Sequence, residues 1–329
     1  MTIREQSEAI ESQILAPYAC LSKNSKGRQH PQEKCDIRTE FARDRDRIIH
    51  CKAFRRLKHK TQVFISLDND HFRTRLTHTL EVSQIARTIA KATRLNEELV
   101  EAICLGHDLG HTPFGHAGEK VLDTLCPGGF RHYKQSLRVV DVIERDGEGL
   151  NLTYEVRDGI VNHTGSNQAH TAEGRLVKFA DRIAYVNHDI DDAIRDGILQ
   201  AEDLPCEYTE ILGDTHSKRI NTLNTDIIYE TLRTGEVAMT QPVETAMLGL
   251  RQFLFDHVYT KLSQRDHQAA MVIEKLYGYF LQHTDELPDE YRVLLERYEK
   301  EQVVCDYIAG MTDYYSIRMF DKLFMPVRL

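Results

Sequence analysis

The sequence predicts an all-α protein, and three features lead to this prediction. Apolar residues recur at helical spacing through most of the 329 residues. No convincing run of alternating apolar and polar residues marks a strand, and no internal repeat appears. We therefore expect a compact helical core with further helices appended towards the C-terminus.

Three consecutive parts of the chain are distinguished. Residues 1–40 are interrupted by Pro17 and Pro31, and they are predicted to be loosely ordered. Residues 41–200 form the predicted core, and residues 201–329 form a C-terminal helical region packed on it. The expected helices cover residues 41–60, 74–93, 96–106, 116–125, 133–145, 151–162, 173–196, 219–233, 243–262, 266–283 and 289–310, with a turn at Asn69-Asp70.

The composition excludes several classes of protein. A hydrophobic content of 41% and a charged content of 28% are ordinary for a soluble globular protein. No window approaches a membrane-spanning helix, and the polar N-terminus lacks an apolar signal core, so we expect a cytoplasmic protein without membrane association. The seven cysteines contain no C-x-x-C pair, which indicates neither a disulfide framework nor a cysteine zinc site.

The net charge of −9 is unevenly distributed. Residues 22–60 are rich in lysine and arginine, and such a stretch can attract the phosphates of a nucleotide or of nucleic acid. The alternative is a solvated helix face, because Asp44 and Asp46 alternate with arginines and can pair with them. Charge alone favours this alternative.

The densest group of reactive side chains lies in residues 104–119. This stretch holds three histidines, two carboxylates and four glycines within sixteen residues. The adjacent pair His107-Asp108 cannot aim both side chains at one spot from an ordinary helix, since consecutive residues diverge by about 100°. A metal ion at a helix end can collect both, and imidazole with carboxylate suits a borderline or hard divalent ion. A glycine-rich loop with incidental histidines is the alternative.

Further ligands must come from distant parts of the chain. His78, near the start of a predicted helix, is one candidate, although it also fits a surface histidine. Asp181 lies among apolar residues, where a carboxylate is costly unless it is paired or bound to metal. Asp181, Tyr185 and Asp189 recur at every fourth position, which places them on one face of a predicted helix. A polar stripe on an otherwise apolar helix favours a site.

The pattern of His78, His107-Asp108 and Asp181 resembles the H…HD…D pattern of HD-domain metal-dependent phosphohydrolases. Longer runs resemble the deoxyguanosine triphosphate triphosphohydrolase (dGTPase-like) family, strongly over residues 40–200. These runs are Arg55-Arg-Leu-Lys-His-Lys-Thr-Gln62-Val-Phe, Arg75-Leu-Thr-His78-Thr-Leu-Glu-Val, Gly106-His-Asp-Leu-Gly-His-Thr-Pro-Phe-Gly-His-Ala-Gly-Glu119 and Ala180-Asp-Arg-Ile-Ala-Tyr185. The similarity reappears at residues 306–313.

The resemblance implies an HD-domain helical core that splits a deoxynucleoside triphosphate, dGTP or a broader set, into deoxynucleoside and tripolyphosphate. A divalent metal would polarise the α-phosphate, with Mg²⁺ or Mn²⁺ preferred and Fe²⁺, Co²⁺, Ni²⁺ or Zn²⁺ as alternatives. His116, with Glu119 three residues later, would perform the proton chemistry. The implied metal ligands are His78, His107, Asp108 and Asp181; the histidines lining the phosphates are His111 and His132; the substrate contacts are Gln62, Arg75, Arg182, Tyr185 and Asp189.

Two other classes of function stay open at this point. One is a different HD phosphohydrolase, such as a nucleotide monophosphatase or a phosphodiesterase, and the other is a regulatory protein that binds nucleotide or single-stranded DNA through residues 22–60. The family also implies a homo-oligomer. The chain departs from the family at Tyr133, where a polar residue usually follows the histidine, so a substrate contact there is not carried over.

Overall fold

A computed structural model describes residues 1–63 and 73–326, and the side chains of residues 262–266 are left out of this description. The predicted turn at Asn69-Asp70 lies outside these residues. The described chain is helical and contains no strand, only isolated bridges from Arg28 to Thr153 and from Thr61 to Thr74. The predicted all-α fold is therefore confirmed.

Seventeen α-helical segments occur in the described residues. They are α1 Ile3–Ile14, α2 Glu40–His50, α3 Lys52–Arg56, α4 Arg75–Thr93, α5 Glu97–Gly106, α6 Gly115–Leu125, α7 His132–Arg138, α8 Glu144–Gly147, α9 Tyr154–Asn162, α10 Ala172–Arg195, α11 Cys206–Leu212, α12 His216–Thr234, α13 Gln241–His257, α14 Ser263–Gln282, α15 Asp289–Arg292, α16 Lys300–Gly310 and α17 Asp313–Phe324. Short 3₁₀ turns lie at Ser22–Asn24, Leu57–His59, Ala201–Asp203, Tyr259–Leu262, Thr284–Glu286 and Val293–Glu296, and a π-helical turn lies at Val139–Ile143.

Helix α1 forms inside the segment expected to be loosely ordered. Its start is a capping box, in which Thr2 accepts from the Glu5 N–H at 3.2 Å and the Thr2 N–H donates to the Glu5 side chain at 2.9 Å. The T-x-x-E signal was present in the sequence, but the segment is polar and shows little apolar periodicity. The expectation of loose order is wrong for residues 3–14.

Helix boundaries differ from the predictions mainly where a long helix is broken. The predicted helix over residues 41–60 is interrupted at Cys51, whose sulfur accepts from the Phe54 N–H and starts α3. The predicted helix over residues 289–310 is likewise divided into a short helix, a 3₁₀ turn and α16. Apolar periodicity continues across such breaks, because a 3₁₀ turn rotates the chain only slightly more per residue than an α-helix.

The chain folds into two compact units, each made of three separate parts. The first comprises Met1–Asp46, His78–Leu105 and Thr153–Leu262, and the second comprises Arg47–Thr77, Gly106–Leu152 and Ser263–Leu329. The consecutive division at about residues 40 and 200, drawn from the sequence, stays a prediction.

The first unit is built around α10, which packs against α9, α12 and α13. Thr171 caps the start of α10 by accepting from the Gly174 N–H at 3.1 Å. Gly159 of α9 lies directly against Ile103 of α5, where a Cβ would collide with the isoleucine side chain. This close packing leaves the α10 side chains at Leu176, Val177 and Ile183 fully buried.

The second unit is built around α14, which packs against α6, α16 and α17. Gly118 permits this packing, since a Cβ there would meet Ile273 of α14 at 2.9 Å. A disulfide joins Cys126, at the end of α6, to Cys305 in α16. The sequence had indicated no disulfide, because residues 179 positions apart leave no local signal of their contact.

Candidate functional site

The stretch rich in histidine and glycine spans the end of α5 and the start of α6. From Gly106 onwards it belongs to the second unit. Phe114 adopts φ 60°, a left-handed conformation that is rare for a bulky residue, and Gly115 follows with φ 57°. Asp313 stabilises this reversal, because its carboxylate accepts from the Phe114 N–H at 3.0 Å and from the Thr61 N–H at 2.9 Å.

Two further side chains hold the backbone of this stretch. Ser136 donates to the His107 carbonyl at 2.6 Å and accepts from the Gly110 N–H at 2.9 Å. Lys60, a buried lysine, donates to the His111 carbonyl. Burial lowers the pKa of Lys60 well below its usual value. The loop conformation is therefore fixed through backbone hydrogen bonds to side chains from other segments of the second unit.

Asp108 is a buried carboxylate surrounded by nitrogen groups. Its Oδ2 lies 3.0 Å from Arg75 Nη1, and its Oδ1 lies 3.4 Å from His107 Nε2 and 3.2 Å from His111 Nε2. Burial by itself raises the pKa of Asp108, but the interactions with His107, His111 and the Arg75 guanidinium outweigh it and hold that pKa well below its usual range. Asp108 is therefore ionised and can offer a hard oxygen ligand.

His111 is held neutral in the same cluster. Burial lowers its pKa, and the positive charges of Arg75 and His132 lower it further, well below the usual value. Its ring stacks on His132 with centroids 4.0 Å apart and planes at 15°. Its buried Nδ1 has no hydrogen-bond partner among the described residues. A neutral imidazole with an uncommitted nitrogen can bind a ligand or accept a proton.

Glu119 of α6 has two histidine partners. Its carboxylate accepts from the His132 backbone N–H at 2.9 Å and lies 3.0 Å from His132 Nδ1, whereas His116 Nδ1 is 3.8 Å away. Burial raises the pKa of Glu119, but the hydrogen bonds from His116 and His132 outweigh this effect and lower it. The His116 side chain is 70% exposed. The nearer partner of Glu119 is thus His132, and its predicted role in orienting His116 stays a prediction.

Among the described residues of the second unit, one group of three side chains lies close enough together to be considered for metal binding. Asp108, His111 and His132 each offer one ligand atom, and these atoms lie within 4.8 Å of one another. The two imidazole planes are almost parallel, so their in-plane lone pairs do not converge on one point. Stacked histidines suit the lining of a ligand pocket better than joint coordination of one ion.

In the first unit, two predicted ligands from separate helices meet. His78 of α4 and Asp181 of α10 approach at 3.1 Å between Nε2 and Oδ1. The other nitrogen of His78, Nδ1, lies 2.9 Å from His188 Nε2. His163 also offers a ligand atom within 4.8 Å of one on Asp181. Sequence reasoning missed both His163, which directly follows α9, and His188, which lies within α10, since a single buried histidine among apolar residues is usually a core residue.

Asp189 is occupied by contacts within the first unit. Its Oδ2 accepts from the Tyr259 hydroxyl at 2.5 Å, and its Oδ1 lies 2.8 Å from His188 Nδ1. Only 2% of Asp189 is exposed, so the predicted contact with a sugar stays a prediction and would require this pairing to be shared. Tyr185 lies one helical turn before Asp189. Burial raises the pKa of its hydroxyl, and the positive charge of Arg251 partly offsets that rise.

The remaining predicted contacts lie in different settings. Gln62 is buried, and its backbone carbonyl accepts a hydrogen bond from Arg75 Nη2 at 3.2 Å. Arg182 follows Asp181 directly on α10 and is partly exposed. Tyr133 sets its ring edge against His132, with centroids 5.8 Å apart, so it is a neighbour of the stacked histidines. The roles predicted for Gln62, Arg75 and Arg182 stay predictions.

The basic stretch of residues 22–60 carries much of its own neutralising charge. Arg28 pairs with Glu40 at 2.6 Å and with Asp44, and Arg43 pairs with Glu40 at 3.0 Å. The side chains of Arg28 and Asp44 are buried, so these pairs are internal structural contacts of the first unit and not a solvated helix face. Binding of single-stranded DNA stays a prediction.

The donors present fit a divalent cation. His78 with Asp181, and His107 with Asp108, each bring an imidazole close to a carboxylate. Asp108 is held in the ionised form that metal binding needs. Mixed nitrogen and oxygen donors admit several first-row ions as well as Mg²⁺.

Comparison with known proteins identifies the family. Residues 75–186 match the HD domain family, and residues 237–322 match a phosphohydrolase-associated domain. A protein from Caldanaerobacter subterraneus subsp. tengcongensis, named deoxyguanosinetriphosphate triphosphohydrolase-like protein, is 56% identical over 99% of this chain and 97% of its own length. This chain belongs to the dGTPase-like family of HD-domain proteins. A Clostridium perfringens protein of the same name is 51% identical over 99% of this chain and 98% of its own.

A solved structure of a hypothetical protein from Aquifex aeolicus is also similar, with a TM-score of 0.47 and 19% identity over 86% of this chain and 68% of that chain.

Membership of the dGTPase-like family makes this chain a metal-dependent HD phosphohydrolase, as the sequence resemblance implied. No helix in the described residues is long and apolar enough to cross a membrane. The cytoplasmic location and the homo-oligomer stay predictions.

Proposed function

We propose that this chain hydrolyses deoxynucleoside triphosphates, dGTP or a broader set, to deoxynucleoside and tripolyphosphate. The observation that carries the proposal is similarity over nearly the full length to proteins named deoxyguanosinetriphosphate triphosphohydrolase-like. Arg75 and three histidines, His111, His116 and His132, supply a guanidinium and imidazole groups suited to a chain of phosphates.

His78, His107, Asp108 and Asp181 are the proposed holders of the divalent metal. When bound, this ion would neutralise charge on the phosphates and polarise the phosphorus centre that water attacks. The proposal depends on donor chemistry and on the family pattern.

The reaction breaks the bond between the α-phosphorus and the 5′ oxygen. A water oxygen bonds to the α-phosphorus and becomes part of tripolyphosphate, and the departing 5′ oxygen takes up a proton. His116 is the proposed group for proton transfer, since its exposed ring can reach a substrate while Glu119 lies 3.8 Å from its Nδ1. His132, bonded to Glu119, and the neutral His111 would orient phosphate oxygens.

Tyr185 and Asp189 are proposed to recognise the deoxyribose. An aromatic ring packed against the sugar leaves little room for a 2′ hydroxyl, which would favour deoxynucleotides. Gln62 and Arg182 are proposed as further contacts to the sugar and the phosphates. The preferred base is determined by comparing product formation from the different dNTPs.

Product analysis tests this function directly. We expect the protein with Mn²⁺ or Mg²⁺ to convert at least one deoxynucleoside triphosphate to deoxynucleoside and tripolyphosphate, measured by ion chromatography and reversed-phase separation. All dNTPs and NTPs should be assayed singly and in mixtures, because a second nucleotide can be required as activator in this family.

Hydrolysis in ¹⁸O-labelled water adds a mechanistic check, since the label should enter tripolyphosphate and not the nucleoside. Release of orthophosphate or pyrophosphate instead would overturn the triphosphohydrolase assignment and favour another HD phosphohydrolase. An Asp181→Ala variant should be inactive, which excludes a contaminating phosphatase.

A further inference from the structure

A second histidine lies beside the proposed metal ligand His78 in the first unit. His78 Nδ1 lies 2.9 Å from His188 Nε2. His188 Nδ1 is 2.8 Å from Asp189 Oδ1, but neither of these two atoms makes a hydrogen bond among the described residues. The other oxygen of Asp189 accepts from the Tyr259 hydroxyl at 2.5 Å. His78 and His188 are buried, with at most 1% of either residue exposed.

The contact between the two histidines limits where a proton can lie. His78 Nδ1 and His188 Nε2 are 2.9 Å apart, so one of these nitrogens donates and the other accepts. When His78 Nδ1 is the donor, His188 Nε2 supplies the acceptor.

This direction leaves the lone pair of His78 on Nε2. That nitrogen lies 3.1 Å from Asp181 Oδ1, so the two side chains direct a nitrogen and an oxygen towards the same place. A metal ion bound there would take the lone pair of Nε2. Histidine ligands of metal sites commonly donate their other ring N–H to an acceptor that fixes their tautomer and orientation.

We infer that His188 is a positioning residue for metal binding, which orients His78 and fixes its Nδ1–H tautomer. The inference rests on the proposed assignment of His78 as a metal ligand. Tyr259 holds the neighbouring Asp189 by donating its hydroxyl to the carboxylate. A histidine that merely fills the core would need no acceptor nitrogen at this point.

Paired substitutions at His188 separate these two roles. His188→Leu removes the acceptor at nearly constant volume, whereas His188→Gln places an amide oxygen near the position of Nε2. We expect the dissociation constant for Mn²⁺, measured by calorimetry and by electron paramagnetic resonance on metal-depleted protein, to rise about 10- to 100-fold in His188→Leu. His188→Gln should restore most of the affinity.

Thr79→Val is the matched control for a buried change from polar to apolar beside His78. The Thr79 hydroxyl makes no hydrogen bond among the described residues, so Mn²⁺ affinity should be unchanged. Circular dichroism and thermal unfolding of the metal-free variants check that each is folded.

The outcomes are distinguishable from failure of the proposed metal site. If Asp181→Ala and His78→Ala bind Mn²⁺ normally, the ligand assignment itself is wrong. If those variants lose Mn²⁺ while folded His188→Leu keeps wild-type affinity, the positioning role is overturned. Equal losses in His188→Gln and His188→Leu would also overturn it, since a purely steric role does not depend on the acceptor.

Discussion

The two histidine clusters of this protein are held in place in different ways. In the first unit, His78 and Asp181 project from α4 and α10, and contacts between side chains support them. In the second unit, His111 and its neighbours lie on a loop, and side chains such as Ser136 and Asp313 bond to the loop backbone. A helix satisfies its own backbone groups, whereas a loop that turns sharply needs partners for them. In the first unit, side chains are therefore available to act as ligands, whereas in the second unit several side chains are needed to hold the loop backbone.

The largest expected effect separates proton transfer from metal binding at the second cluster. His116→Ala should lower kcat by about 10²- to 10⁴-fold, the usual loss when a general acid or base is removed. Mn²⁺ affinity should stay unchanged, because His116 is not a proposed ligand. Steady-state kinetics and calorimetric titration with Mn²⁺ measure the two quantities. His50→Ala, an exposed histidine elsewhere in the second unit, is the control. Loss of Mn²⁺ binding in His116→Ala would show that the assignment of His116 to proton transfer and not to the metal is wrong.

An intermediate effect should follow from weakening the backbone support of the loop. Asp313→Asn removes the charge from two hydrogen bonds and leaves one carbonyl oxygen for two N–H donors. Hydrogen bonds to charged groups contribute about 1.5–3 kcal/mol each, so we expect the free energy of unfolding to fall by about that amount. Chemical denaturation measures the free energy, and hydrogen exchange should speed up at the Phe114 amide in particular.

Asp321→Asn on the exposed face of α17 serves as the control for that change. Unchanged exchange at Phe114 in Asp313→Asn would mean that the left-handed turn is held by other contacts, and the contrast between the two clusters would lose its main support.

The smallest effect concerns the pH dependence of stability. The pKa of Glu119 is lower in the folded protein than its usual value of 4.5, so this residue stabilises the fold above pH 4.5, and the contribution is lost as the pH falls through the lowered pKa. Glu119→Gln should therefore reduce the free energy of unfolding at neutral pH. In this variant the free energy of unfolding should also fall less steeply as the pH is lowered below 4.5. Denaturation curves between pH 7 and pH 3 compare the two proteins. An equal acid slope in both would remove Glu119 as an anchor of the second cluster.

Several parts of the site could be predicted because they are local in sequence. His107-Asp108 sits at a helix end marked by Gly106, and the α10 helix was placed to within one residue at each end. By contrast, His163 and His188 gave no signal, since a single histidine among apolar residues has the same pattern whether or not it faces a ligand. The contact between Glu119 and His132 could not be predicted either. The two residues are thirteen positions apart, and only the fold brings His132 Nδ1 to 3.0 Å from the Glu119 carboxylate.

The sequence by itself determined the helical class, the family and the residue types available for metal and proton chemistry. These depend on periodicity and on short motifs, which are set by neighbouring residues. Only the tertiary structure decided which side chain each group contacts. Asp313 reaches the loop at Phe114 from 199 residues away, and Tyr259 reaches Asp189 from 70 away. Such contacts are fixed by the packing of whole helices, and packing depends on the combined shape of many side chains rather than on any single stretch.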